Sequence, residues 1–452
     1  MYKKISSFLN QHKGIVIILC LGLICRLVYF LIILHNFGSE GFYLASNGDA
    51  VEYLALARQW LEHGTFQNLT GLPQPEIFRM PGYPLFIVFF YKIIPNVALA
   101  VLVQNVIFVV GIALFYKFVL SLFQNQRIAL ISAGFLAFEP SVAYWNNQLI
   151  TETLFAVMVF LSLYSSFIFC QNKKLYYPAL SGLCLSLAIF IRPAGEYLAV
   201  IFIIFYLLLL LKKVSFKKII LAVLIFIIAF LTPLSPWMIR NKKVFGSYAV
   251  SNSSNIGFGK YWTAINEQLN EDTVIYFAGI ENPLKKASAV RQKTISLVVA
   301  HPMIFFKIYT LSLVPFFFGD AYLSVFGRIF PELEKQRVVT DWEGGSELFG
   351  FIYGHKGAEA FVFFLGKLAW SLVTLFAVAG IFCWMFKYKK EYPIFIFVLL
   401  LILYFSLASG VGSYSRFRFP VVAYIFLFSS IGIHWLLGMW TPKVSDNSDK
   451  SI

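Results

Sequence analysis

Asp49 in GDAVEY and Arg79 in FRMPGYP stand in one polar stretch between long apolar runs. A carboxylate so placed can take a proton from a hydroxyl. An arginine can hold an anion, because its planar guanidinium donates two parallel hydrogen bonds and stays charged at any accessible pH. Further charges mark the ends of later apolar runs: Glu139 and Glu152 in FEPSVAYWNNQLITETLF, Arg192 in IRPAGEY, Arg240 in PWMIRN, and Arg416 and Arg418 in SYSRFRFP. Such a set suits the movement of a sugar from a lipid-linked phosphate to a hydroxyl. That reaction needs a carboxylate for the acceptor proton and cations for the departing phosphate. Asp49 is the candidate base, and the arginines are candidate phosphate ligands.

The elements that must position these residues are membrane helices. The chain is 59% hydrophobic and only 13% charged, far from the balance of a soluble domain. About 20 apolar residues cross a bilayer as a helix, and ten runs meet or approach that test: 14–34, 98–117, 128–145, 149–170, 176–191, 196–211, 219–238, 360–386, 392–409 and 419–438. The first is too long for a signal peptide, carries Arg26 and has no clean cleavage signature, so it reads as a retained span. Simple alternation puts these four lysine clusters on one side: Lys3, Lys4 and Lys13; Lys173 and Lys174; Lys212, Lys213, Lys217 and Lys218; Lys387, Lys389 and Lys390. By the positive-inside rule that side is the cytoplasm.

Two apolar segments do not fit the alternation. Tyr83 to Ile94 is short and reads as an in-plane amphipathic helix in the first external loop. His301 to Gly319 is long enough to cross, but the acidic stretch 331–347 after it reads as external, so a re-entrant or in-plane segment is expected. The fold expected is therefore all-α and polytopic, with about 10–11 transmembrane helices in one domain over 1–442. External segments are expected at 35–97, with the candidate aspartate, and at 239–358, and a short cytoplasmic tail at 443–452.

The net charge of +15 lies in short clusters between spans, which points to membrane orientation and away from nucleic acid. The five cysteines all fall in apolar runs with no C-x-x-C, as buried small hydrophobes would. No acidic triad or His/Asp cluster has ligand spacing, so neither a cofactor nor a metal is expected. Asn68-Leu-Thr70 and Asn252-Ser-Ser254 fit the glycosylation acceptor pattern, which is frequent by chance.

All the helix-end charges fall on the side opposite those four lysine clusters. Charges at membrane depth are costly and line a polar cavity or pair with one another, so these ends are expected to converge on a cavity opening outward. The competing reading is separate snorkelling of each arginine to the headgroups. Asp49 with Glu52 three residues on also has capping-box spacing, and His301 before Pro302 has a structural reading too.

The order GDAVEYLALARQWLEHG, FRMPGYP, Pro140 with Thr151-Glu152, IRP, PWMIRNKKVFGSY, His301-Pro302 and SRFRFP resembles the polytopic GT-C glycosyltransferases. The branch it is most similar to holds the protein O-mannosyltransferases, the lipid A aminoarabinose transferases and the lipopolysaccharide-core sugar transferases. The resemblance covers the chain to about residue 438. It implies an inverting enzyme that takes a hexosyl or pentosyl group from a polyprenyl-phosphate carrier. The acceptor would be a glycolipid, glycan or protein, on the non-cytoplasmic side of a bacterial inner membrane, facing the periplasm or exterior. On that resemblance Asp49 is the base, Arg416 is a phosphate ligand and Arg79 matches the arginine of an R-x-P-G-Y-P segment; by charge and placement Arg79, Arg192, Arg240 and Arg418 are further candidate phosphate ligands. On it Glu152 would bind acceptor or organise the base and Tyr53 matches an aromatic one helical turn on; Glu52 and Tyr83 are further candidates for organising the site, with a capping or solvated role open for Glu52. Many members carry an acid directly after the aspartate, whereas Ala50 stands here. The chain is also shorter than the mannosyl and aminoarabinose transferases, which fits the smaller bacterial members.

Two other classes use similar residues. A transporter or flippase of a lipid-linked sugar would bind substrate with outward charges, but it commonly shows inverted repeats, and none is visible. A polysaccharide polymerase or ligase would also use external arginines, without depending on Asp49.

Overall fold

The computed structural model describes residues 13–44, 48–68, 74–212, 214–272, 282–331, 357–387, 391–411 and 414–440. Lys3, Lys4, most of the acidic stretch 331–347, Leu69 and Thr70 of the first glycosylation pattern, and the tail 443–452 lie outside them. The described chain is all-α apart from a two-residue antiparallel pair, Gln67–Asn68 (β1) with Gln74–Pro75 (β2). The first half runs α1 Lys13–Phe37, α2 Asp49–His63, α3 Gly82–Ile93, α4 Val97–Phe123, α5 Gln126–Phe138, α6 Pro140–Asn146, α7 Glu152–Asn172, α8 Tyr176–Ile191 and α9 Leu198–Leu208. The second half runs α10 Phe216–Phe245, α11 Ser254–Leu269, α12 Pro283–Ala300, α13 Pro302–Phe318, α14 Tyr322–Ile329, α15 Ala358–Lys387, α16 Tyr392–Ser409 and α17 Val422–Trp440.

Each of the ten apolar runs becomes helical, but not all alike. Among the described residues seven helices are long and apolar enough to cross a membrane alone, or up to nine if each of two bent pairs counts as one span. The helix α8 has 16 residues, about 24 Å at 1.5 Å per residue, short of a bilayer core of about 30 Å. The run 196–211 divides into an 11-residue α9 and a 3-10 turn. The segment expected in-plane is the 12-residue α3, and α13 turns 106° from α12 at His301-Pro302.

The run 128–145 is not one straight span, because it breaks by 56° between α5 and α6. Proline at 140 cannot donate a backbone hydrogen bond, and Glu139 before it is held extended at φ −67°, ψ 123°. Both new helix ends are capped by charge. The Glu139 carboxylate accepts from Val142 N at 2.7 Å, and the buried Arg26 in α1 donates to Ala137 O at 2.5 Å and Leu136 O at 2.6 Å. A free carbonyl in an apolar layer needs such a donor.

Close packing fixes the bundle. A Cβ on Gly380 of α15 would stand 1.8 Å from Phe428 O of α17, and one on Gly432 of α17 would stand 2.1 Å from Phe376 O of α15. Only glycine lets these two backbones approach so closely, the usual device where helices pack in lipid. Likewise a Cβ on Gly82 would meet Phe190 O at 2.6 Å, which sets the start of α3 against the end of α8.

A small cavity lined by Ser121, Phe167, Gln171, Leu209, Glu391 and Pro393 brings together the ends of α4, α7 and α9 and the start of α16. The ends beside Lys173-Lys174 and Lys212 thus share one face with the start of α16. Because α4 and α7 both run toward it, Glu152 and the start of α4 belong to the opposite face.

Candidate functional site

At that opposite face Asp49 opens α2, directly after Gly48, whose φ of +85° is a left-handed conformation glycine adopts without strain. Gly48 takes the N-cap position with no side-chain cap hydrogen bond, so the capping-box role is not what occupies Asp49. Its carboxylate instead faces two arginines. Arg79 Nη2 donates to Oδ1 at 2.6 Å, and Arg416 Nη2 lies 2.6 Å from Oδ2 in an ion contact whose angles fall outside hydrogen-bond geometry.

The contacts spread from there. Arg79 Nε donates to Glu52 Oε2 at 2.7 Å, and its guanidinium lies 5.0 Å from the Tyr53 ring centre. The Glu76 carboxylate shapes the arginine's loop by accepting from the backbone N–H groups of Ile77, Phe78 and Arg79. Arg416 Nε and Arg192 Nη1 both donate to Glu152 Oε1, and Arg192 also reaches Thr151 Oγ1 at 3.1 Å. The Arg416 loop is fastened by Trp145 Nε1, which donates to Ser415 Oγ at 3.0 Å.

The result is one network of three carboxylates, Asp49, Glu52 and Glu152, and three guanidiniums, Arg79, Arg192 and Arg416. Glu152 and Arg416 are almost fully buried, whereas the Asp49 side chain is 28% exposed. Burial opposes the Arg416 cation, but Glu152, Tyr414 and Asp49 outweigh it and raise its pKa. Arg79 is raised in the same way, against burial, by Tyr53, Asp49 and Glu52. Burial raises the Tyr53 phenol. Arg79 and Arg416 therefore stay cationic.

Tyr83 is buried edge-on against Tyr53, with ring centres 5.2 Å apart, and its hydroxyl donates to Gln104 Oε1 at 3.1 Å. It belongs to a polar layer behind the ion network. There Gln104 Nε2 donates to Asn146 O and Gln148 O, Asn105 pairs with Asn146 and Asn147, and Thr153 donates to Asn146 Oδ1. These amides were missed in the sequence-based reading. Their signal is polarity inside apolar runs, Gln104-Asn105 in VLVQNVIF and Asn146-Asn147-Gln148 in YWNNQLI, a placement tolerated only where partners exist.

Two expected phosphate ligands lie elsewhere. Arg240 donates to Glu76 O at 2.7 Å and Asn241 Oδ1 at 2.8 Å and stacks on Trp237, so it braces the Arg79 loop from outside. Arg418 donates to Phe316 O at 2.8 Å and lies over Trp370. Burial pushes its pKa down to about 9 against the pull of Glu139 and Asp320. The turn through Phe417 and Phe419 sends Arg416 and Arg418 to different neighbours. Glu139, expected at the same outward cavity, is a helix cap bonded to Trp370 Nε1 at 2.9 Å. The expectation of a single pocket holding every helix-end charge is thus corrected to one shared network plus separate braces. Among the described residues no three His, Cys, Asp or Glu side chains gather as metal ligands.

Residues 74–239 match the family model described as dolichyl-phosphate-mannose-protein mannosyltransferase. This stretch carries Arg79, Tyr83, Glu152 and Arg192. A search of curated proteins gives no match. Among solved structures, the chain is similar to the Archaeoglobus fulgidus oligosaccharyltransferase in its apo form, at 12% identity and TM-score 0.50, over 92% of this chain and 51% of that one. It is also similar to the Archaeoglobus fulgidus oligosaccharyltransferase tethered by a disulfide bond to an acceptor peptide containing the NVT sequon, at 14% identity and TM-score 0.52, over 96% and 50%. The chain spans about half the length of these structures, and likeness at such identity concerns the fold. In fold along nearly its whole length, and in sequence over residues 74–239, this multi-pass membrane protein resembles the GT-C membrane glycosyltransferases.

Proposed function

We propose that the protein transfers a sugar from a polyprenyl-phosphate carrier to an acceptor hydroxyl on the non-cytoplasmic side of the membrane, with inversion. The observation that carries this reading is the contact of Asp49 with both Arg79 and Arg416 at the face away from the lysines. The family match over 74–239 and the shared fold support it. A lipid-linked donor suits the architecture, because its tail can stay in the bilayer while its phosphate reaches the helix ends. The bacterial inner membrane remains part of the proposal, as does an acceptor that is a glycolipid, glycan or protein.

The charge balance suggests how the site works. With three carboxylates against three guanidiniums the network is neutral, so an incoming phosphodiester must exchange for a carboxylate. Arg416 or Arg79 turns from Asp49 to the phosphate, and an Asp49 oxygen is released toward the acceptor hydroxyl. Asp49 then takes the hydroxyl proton as the acceptor oxygen bonds to the anomeric carbon. The bond from that carbon to the phosphate oxygen breaks, and the phosphate leaves with the bonding pair, stabilised by the guanidiniums. Guanidiniums fill the electrophilic role in this scheme, and no cofactor or metal is assigned.

In a reconstituted assay with polyprenyl-phosphate sugars, Asp49→Asn is expected to lower kcat by about 10²- to 10⁴-fold with an unchanged thermal transition. Transfer at the unmodified rate would remove the mechanism. Arg416→Ala is expected to weaken donor binding more than acceptor binding, read as separate KM values.

A further inference from the structure

Among the buried amides behind the ion network, Gln104, Asn105, Asn146 and Asn147 are matched through one another and through nearby backbone. Gln148 is the exception. Its backbone carbonyl accepts from Gln104 Nε2 and Ile150 N, which fixes the turn. Its side chain is fully buried, and neither its oxygen nor its nitrogen has a hydrogen-bond partner. A buried amide left unmatched destabilises the fold, so one that persists calls for an explanation. Four residues on, at the first position of α7, Glu152 holds Arg192 and Arg416.

We infer that Gln148 is a specificity residue whose amide is satisfied by a hydroxyl of the donor sugar when the site is occupied. This rests on the donor reading above. An amide offers two donor hydrogens and an acceptor oxygen, the complement of neighbouring sugar hydroxyls. The sugar is the part of the donor attached directly to the phosphate, so guanidiniums that hold the phosphate bring the sugar to the adjoining turn. On the proposed reading, the exchange of a carboxylate for phosphate also gives the sugar access to Gln148. A group that hydrogen-bonds a hydroxyl discriminates strongly against a ligand that lacks it.

The test uses Gln148→Met, which keeps side-chain length and removes the polar atoms. The full-length protein in nanodiscs is titrated with citronellyl phosphate and with a panel of citronellyl-phosphoryl hexoses and pentoses, and Tm is measured on the same samples. In the unmodified protein at least one sugar-bearing lipid is expected to bind more tightly than the bare phosphate. In Gln148→Met that preference is expected to fall about tenfold, with binding of the bare phosphate retained and Tm unchanged or raised. A preference that survives the substitution, or a Tm that falls, overturns the inference. So does an unmodified protein that binds both kinds of lipid alike, a result that leaves the donor reading standing. Binding of neither lipid overturns both.

Discussion

Glu152 and Asp49 are both paired with arginines, but they differ in what their loss would cost. Glu152 is buried and neutralises Arg192 and Arg416 together, so Glu152→Gln strands Arg192 and leaves Arg416 with Asp49 alone in a low-dielectric layer. That substitution is expected to destabilise by about 3–5 kcal/mol, visible as a lower Tm before any assay of transfer. Asp49→Asn, at the partly exposed edge, should leave Tm nearly unchanged, so comparing the two separates scaffold from chemistry. Asp49, Arg79, Glu152, Arg192 and Arg416 were legible in the sequence because charge at membrane depth is tolerated only in company. Arg418 was misread because it shares a turn with Arg416, and no spacing rule says which neighbour each will meet. Gln148 was invisible for a different reason: an amide in an apolar run gives no hint of whether it is matched.

Among the elements, the break between α5 and α6 was only half readable. Glu-Pro at 139–140 signals a helix boundary, yet the run around it is apolar enough to pass for one span. Its repair comes from α1, more than a hundred residues away, where Arg26 serves the two free carbonyls. Arg26→Met is expected to cost about 1.5–3 kcal/mol for each charged hydrogen bond lost, measured as a shift in the denaturation midpoint. The pairing of α15 with α17 makes a sharper case. Gly380→Ala places a methyl 1.8 Å from Phe428 O, and backbone has to move, so a loss of about 1–3 kcal/mol or more is expected. Helix positions were legible from apolar length, whereas helix contacts made through glycine were not.

For the whole molecule, the lysine count alone pointed to the face on which the site would sit, because the cationic loops and the helix-end charges fall on opposite ends of α4 and α7. The sidedness is open to direct measurement. In a background with the five native cysteines replaced, Lys174→Cys and Glu62→Cys in sealed vesicles of known orientation are expected to react with an impermeant maleimide from opposite sides. Labelling of both from one side would rule out the proposed orientation. The number of crossings was harder to read, since a 16-residue helix and a bent pair match the hydropathy of full spans without their geometry.

The balanced charge of the ion network carries one more consequence, for what the enzyme ignores. A soluble anion arriving from the aqueous phase would have to pull a guanidinium from its carboxylate with nothing but its own charge. Under the proposed function a polyprenyl-borne phosphate comes tethered in the bilayer beside the helix ends, where confinement raises its local concentration. On that reading the ion pairs set a threshold for tethered ligands to cross and for free ones to fail, so millimolar inorganic phosphate is expected to leave turnover unaffected.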